Sequence, residues 1–203
     1  MSTIVVLGVI AVVQTIFLGM LVAFLSSFVG GAIIQSVQLF PAIFFQTHFQ
    51  FPAALVNRGQ TISTVVTFFS IIIGNWLIDR IGWMVGISVA AAGIVGAVIL
   101  LYWNPQVSTL TLHMAIAGIP CALVIMLHNL LTRVFPAEIR ITGISTAHNT
   151  ASAVAGGIMP VTMGFLVHYH YWAAAWVPSL FALLAVVITP IAMKRRKPLR
   201  FQP

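Results

Sequence analysis

No charged residue occurs between Met1 and Asn57, and the charges that follow come in small groups separated by long apolar stretches. Arg58 stands first. Asp79 and Arg80 follow, then Arg133, Glu138 and Arg140, and finally Lys194, Arg195, Arg196, Lys197 and Arg200. The stretches between these groups are long enough to cross a bilayer. Hydrocarbon offers no partner for backbone N–H and C=O groups, so such stretches must be helices or the strands of a closed barrel. Barrel strands alternate apolar and polar side chains. Ile71-Ile72-Ile73 and Leu183-Leu184-Ala185-Val186-Val187-Ile188 do not alternate. The pattern predicts an all-α integral membrane protein. Composition excludes the water-soluble alternative, because charged residues make up 5% of the chain, against about 25% in an average soluble domain.

Transmembrane helices are predicted at about 19–45, 54–78, 84–102, 109–131, 142–167 and 173–193, a six-helix bundle. Residues 1–18 form either a hydrophobic N-terminal extension or a short extra span, and residues 194–203 form a basic tail. Ser26, Ser27, Gly30 and Gly31 mark either a helix break or a close contact with a neighbouring helix. Met1-Ser2-Thr3-Ile4 has no positive n-region, so a cleaved signal peptide is not expected. With six spans, Asp79-Arg80, the Arg133–Arg140 loop and the tail share one side, which leaves Arg58 as the lone basic residue opposite. The positive-inside rule then places the C-terminus in the cytoplasm of a multi-pass protein of the plasma membrane, in a bacterium the inner membrane. The formal charge of +7 is no sign of nucleic acid, because Lys194–Lys197 are consecutive and follow an apolar span. They read as an anchor on anionic membrane lipid.

Two spans carry polar groups at helical spacing. Gln60, Thr64, Thr67 and Ser70 lead to Gly74, and Thr142, Ser145, Asn149, Ser152 and Gly156 lead to Pro160. Each set falls on one side of its helix. Small hydroxyl residues serve as interhelical glue, but Gln60 and Asn149 are larger and favour a polar cavity. Gln35 and Gln38 add a pair on the first span. The substrate pathway is therefore expected at Gln35, Gln38, Gln60, Thr64 and Asn149. Gly156, Gly157 and Pro160 are expected to form a helix hinge, since proline removes a helix hydrogen bond.

The histidines show no metal-ligand spacing. His168 and His170 lie two apart, His113 and His128 sit at opposite ends of one span, and the only acids are in loops. Neither a metal site nor a histidine relay is expected, and no cofactor. No nucleophile elbow, P-loop or dinucleotide fingerprint occurs, so an enzyme is not expected. Cys121 is the single cysteine, which rules out an internal disulfide.

The loop Gly74-Asn75-Trp76-Leu77-Ile78-Asp79-Arg80-Ile81-Gly82 resembles the cytoplasmic loop signature of the major facilitator superfamily in its C-terminal-half copy. Trp83-Met84 stands where that signature continues with a basic pair. The stretch Arg133-Val134-Phe135-Pro136-Ala137-Glu138-Ile139-Arg140-Ile141-Thr142-Gly143, running on to His148-Asn149, Gly156-Gly157 and Pro160, is similar to the metabolite:proton symporter branch of that family. That branch includes proline/betaine, shikimate, citrate and α-ketoglutarate carriers, and His148 stands where it usually has a tyrosine. The resemblance covers about Gly30 to Met193 and implies helices seven to twelve, one half of the major facilitator fold. It further implies a cytoplasmic gate at Asp79, Arg80, Arg133, Glu138 and Arg140. A complete carrier has two six-helix halves around a midplane site. The expected function is transport of a small metabolite, an organic acid or zwitterionic osmolyte, with protons, as a half that needs an N-terminal half or a second copy. The alternative is a non-transporting membrane relic or interaction subunit.

Overall fold

The computed structural model describes residues 3–122, 127–129, 131, 132, 134, 135 and 137–194. Six helices are long and apolar enough to cross a membrane, at Ile16–Thr47, Ala53–Ile81, Trp83–Trp103, Leu110–Asn129, Ala137–Tyr169 and Ala173–Met193. Together they form an all-helical bundle, and no strand occurs among the described residues.

The first span is built from three pieces. Helix α1 (Thr3–Ile33) passes without interruption through Ser26–Gly31, runs into a π-helical turn at Ile34–Leu39 and continues as α2 (Phe40–Thr47). Of the two sequence alternatives at Ser26–Gly31, close packing is the one observed. A Cβ on Gly31 would lie 3.0 Å from that of Ala155 on the fifth span. The irregularity falls instead just before Pro41, whose ring cannot donate and crowds the carbonyl a turn earlier. The widened turn absorbs this, with the Phe40 N–H donating to Gln35 O. Residues 3–18 are continuous with the same rod, which from Thr3 to Thr47 extends on the order of 65 Å.

Helix α3 (Ala53–Ile81) starts after Pro52 and ends at Gly82, which alone separates it from α4 (Trp83–Trp103). Gly82 has φ 85°, a conformation that suits glycine, and its N–H donates to Ile78 O at 2.8 Å. Helix α5 (Leu110–Gly118) and a 3₁₀ turn at Pro120–Ala122 open the fourth span. Helix α6 (Arg140–Tyr169) is unbroken through Gly156, Gly157 and Pro160, and α7 (Ala173–Lys194) contains Pro178 and Pro190.

The spans pair in a regular way. The first packs on the fifth, the second on the fourth, and the third on the sixth. Exchanging spans one to three with four to six maps this set of pairs onto itself. Because each triplet is odd, the two triplets run in opposite directions, an inverted three-plus-three repeat. The main apolar core joins all six spans through residues such as Ile33, Val56, Ile94, Leu110, Met163 and Ala182. A smaller cluster of Ala23, Leu131, Phe135 and Ala147 lies beneath the loop that carries Glu138.

The opposite end is closed by aromatic rings. Phe44 and Phe45 contact Tyr102, and Phe44 also meets Tyr171. The Tyr171 hydroxyl donates to Tyr102 O at 2.6 Å. Burial raises the Tyr171 phenol above its ordinary range, so it stays a donor. Tyr171→Phe leaves the ring contacts in place and removes this bond. It should lower stability by about 1 kcal/mol, seen as a small drop in Tm in detergent.

Candidate functional site

The polar groups of the first, second and fourth spans meet in one buried cluster with Gln38 at its centre. The Gln38 side chain is 7% exposed. Its Nε2 donates to Thr67 Oγ1 at 2.8 Å, while its Oε1 accepts from Ser63 Oγ at 3.3 Å and from Gln60 Nε2 at 3.5 Å. The Thr67 hydroxyl lies 2.9 Å from both Ser63 O and Gly118 O, which ties α3 to α5. The Gln60 Oε1 is buried without a protein partner. It is an acceptor able to take an N–H or O–H group within the site.

This cluster borders a cavity of about 280 Å³ lined by Ile34, Gln38, Leu39, Gln60, Thr64, Thr67, Ile71 and Cys121. Thr64 turns its hydroxyl back onto Gln60 O at 2.9 Å, the usual way a hydroxyl is satisfied inside a membrane helix. The π turn decides where the two glutamines of the first span go. Its wider winding splays Gln35 and Gln38 apart: Gln38 reaches α3, whereas Gln35 sits beside α6, its Nε2 3.3 Å from where a Gly156 Cβ would be.

The sequence-predicted pathway residues are thus only partly gathered. Gln38, Gln60 and Thr64 share the cavity, and Gln35 lies behind it against Gly156. Asn149 is exposed on α6, away from the cavity lining. The buried face of α6 is Gly143, Ala147, Ala151, Ala155, Met159 and Met163. Its polar stripe lies alongside, with Thr142, Ser145 and Asn149 exposed. The second-span stripe also divides, since Ser70 and Gly74 line a separate apolar groove with Val89 and Gly93. Ser63, Gly118 and Cys121 belong to the site and were not anticipated. No periodicity marks them, because each is included by what faces it across a helix contact.

At the charged end Asp79, Arg80, Glu138 and Arg140 are all exposed, and Arg133 lies outside the described residues. Arg80 lies over the Trp76 ring at 4.5 Å. Arg140 donates through Nε to Phe135 O at 3.4 Å. Among the described residues these four charges form no ion pair with one another.

The sequence reading expected no histidine relay, yet two histidines on different spans come together. His128 Nε2 and His148 Nδ1 are 2.6 Å apart, and Ser152 Oγ lies 3.4 Å from the same His148 nitrogen. Spacing along one helix could not reveal a pair formed across two. Among the described residues no three of His, Cys, Asp and Glu converge, and two imidazoles are too few for a structural metal site.

No protein-family model matches the chain, and no curated protein matches it. Among solved structures it is similar to the POT family transporter PepTSo, crystallised in meso, with a TM-score of 0.66 at 14% identity. The match covers 91% of this chain and 39% of that transporter. The likeness shows the fold: a six-helix membrane bundle resembling one half of the major facilitator architecture.

Proposed function

We propose that this chain is the C-terminal half of a proton-coupled symporter for a small metabolite, of the metabolite:proton symporter branch, and that it transports only with a second lobe. One observation carries the reading. The second and fifth spans are the least buried of the six, and they expose Thr64, Thr142, Ser145 and Asn149. Lipid is a poor neighbour for hydroxyl and amide groups, whereas a second lobe enclosing a wet cavity suits them. The cluster around Gln38 then forms this lobe's wall of the pathway. Its neutral amides and hydroxyls fit an organic acid or a zwitterion.

The charged end is the cytoplasmic one in this reading, with Asp79, Arg80, Arg133, Glu138 and Arg140 at the mouth of the pathway. The helix around Gly156, Gly157 and Pro160 bends as access alternates. The second lobe is an N-terminal half or a second copy of this chain.

Reconstitution into vesicles under a pH gradient tests this, with radiolabelled betaine and citrate as probes. The chain alone should give no uptake above empty vesicles. Adding the first six helices of a carrier of the same branch should give uptake that a protonophore abolishes. Uptake by the chain alone at one copy per vesicle would refute the need for a second lobe. Failure with every partner would favour a non-transporting membrane protein.

A further inference from the structure

We propose that His128 and His148 together form a proton-binding site between the fourth and fifth spans, a pair of imidazoles that holds one added proton. Its use in coupling rests on the carrier reading, but the binding chemistry does not.

At 2.6 Å between His128 Nε2 and His148 Nδ1, one nitrogen must bear a hydrogen and the other a lone pair. The rings stand edge to face, 83° apart with centroids at 4.3 Å. Two protonation states keep this contact. In the neutral state one imidazole donates to the other. With one added proton, an imidazolium donates to a neutral partner, a stronger charge-assisted bond. A second added proton sets two N–H groups and two positive charges against each other and breaks the pair. Histidine is also the side chain whose ordinary titration range lies nearest physiological pH.

The first span, which packs on α6, has no charged residue, and α7 has none before Lys194. On α6 itself Arg140 is exposed eight residues earlier, Glu138 just precedes the helix, and His168 is near its far end. From α3, Asn75 accepts from Asn129, the neighbour of His128, at 2.8 Å, with exposed Asp79 one turn further on. His113 and Cys121 lie earlier on the fourth span, and Arg133 is outside the described residues. Ser152 holds the His148 ring from one turn along α6.

The position also suits coupling. Eight residues of α6 separate His148 from Gly156, beside which Gln35 sits, so the pair is about 12 Å from that level towards the charged end. The proton count on the pair decides whether the two spans are bonded there.

The test is imidazole ¹⁵N NMR of the full chain, labelled at histidine, in lipid bilayers across pH 4–9. His128 and His148 should titrate jointly in two separated steps. His148→Gln should convert the His128 curve to a single step, and His128→Gln should do the same for His148. Independent single-step curves, each untouched by replacing the other residue, would overturn the proposal. Should both variants fail to fold, the wild-type curves decide, since only a coupled pair titrates jointly. None of this requires uptake. If vesicles with both lobes do transport, His148→Gln should reduce gradient-driven uptake by about tenfold or more and leave substrate exchange near wild type. Equal loss of both would remove the coupling role. Joint titration without any uptake would sink the carrier reading alone.

Discussion

Gly118→Val is expected to separate the fourth span from the second and to cut the yield of folded protein about tenfold or more, by an overpacking cost of about 3 kcal/mol. A Cβ at this position would lie 2.5 Å from Ser63 O, 2.9 Å from Thr67 Oγ1 and 3.1 Å from Ser63 Oγ. The nearest of these is a backbone carbonyl within α3, which cannot swing aside as a side-chain tip can. Relief requires moving α5 off α3, and that motion also breaks the Thr67 bond to Gly118 O. The larger valine worsens the clash, and Gly118→Ala should fall between valine and wild type. Monodisperse yield by fluorescence-detected size exclusion and Tm in detergent measure the effect. Gly157→Ala is the control, since nothing lies within 4 Å of its added Cβ. A Gly118→Val protein as stable as this control would show that the close contact is unimportant.

Gln38→Leu is expected to lose about tenfold or more of the uptake of the two-lobed carrier while costing only about 2 kcal/mol of stability. Three hydrogen bonds meet at this amide, to Thr67, Ser63 and Gln60. Interhelical bonds in membranes average about 0.6 kcal/mol each. Thr67 keeps its carbonyl partners Ser63 O and Gly118 O after the change. Gln60 loses its partner in a cavity where its Oε1 already has none. The fold therefore survives, but the pathway wall becomes apolar at its centre. Uptake per folded molecule separates the two roles. A loss of uptake no larger than the loss of folded protein would make Gln38 a structural residue only.

Both substitutions act where helices meet, and there the sequence was least informative. Gln38 and Gln60 stood out because amides are rare in apolar stretches. Ser63 did not, being one small hydroxyl among many. Gly118 looked like any other glycine until Ser63 O was found against it. Asn149 looked like a cavity residue by its size and spacing, yet its face of α6 lies outside this lobe's own cavity. The glutamine pair misled for a different reason. Residues three apart share a face in an α-helix, but the π turn ahead of Pro41 sends Gln35 and Gln38 to different neighbours.

What the amino-acid order determined by itself was that this chain lives in a bilayer as a bundle of helices. The scarcity and grouping of charges put the chain in hydrocarbon, and apolar runs that do not alternate leave the helix as the way to satisfy its backbone there. It also marked which residues share a side of each helix, because the helical period is a local property. Only the tertiary structure decided which sides face one another. Apolar helices in lipid have no hydrophobic drive to choose partners, so small residues and a few hydrogen bonds select the contacts. That selection placed His128 against His148, Gln38 against Thr67 and Gly118 against Ser63, pairs separated by 20, 29 and 55 positions in the chain.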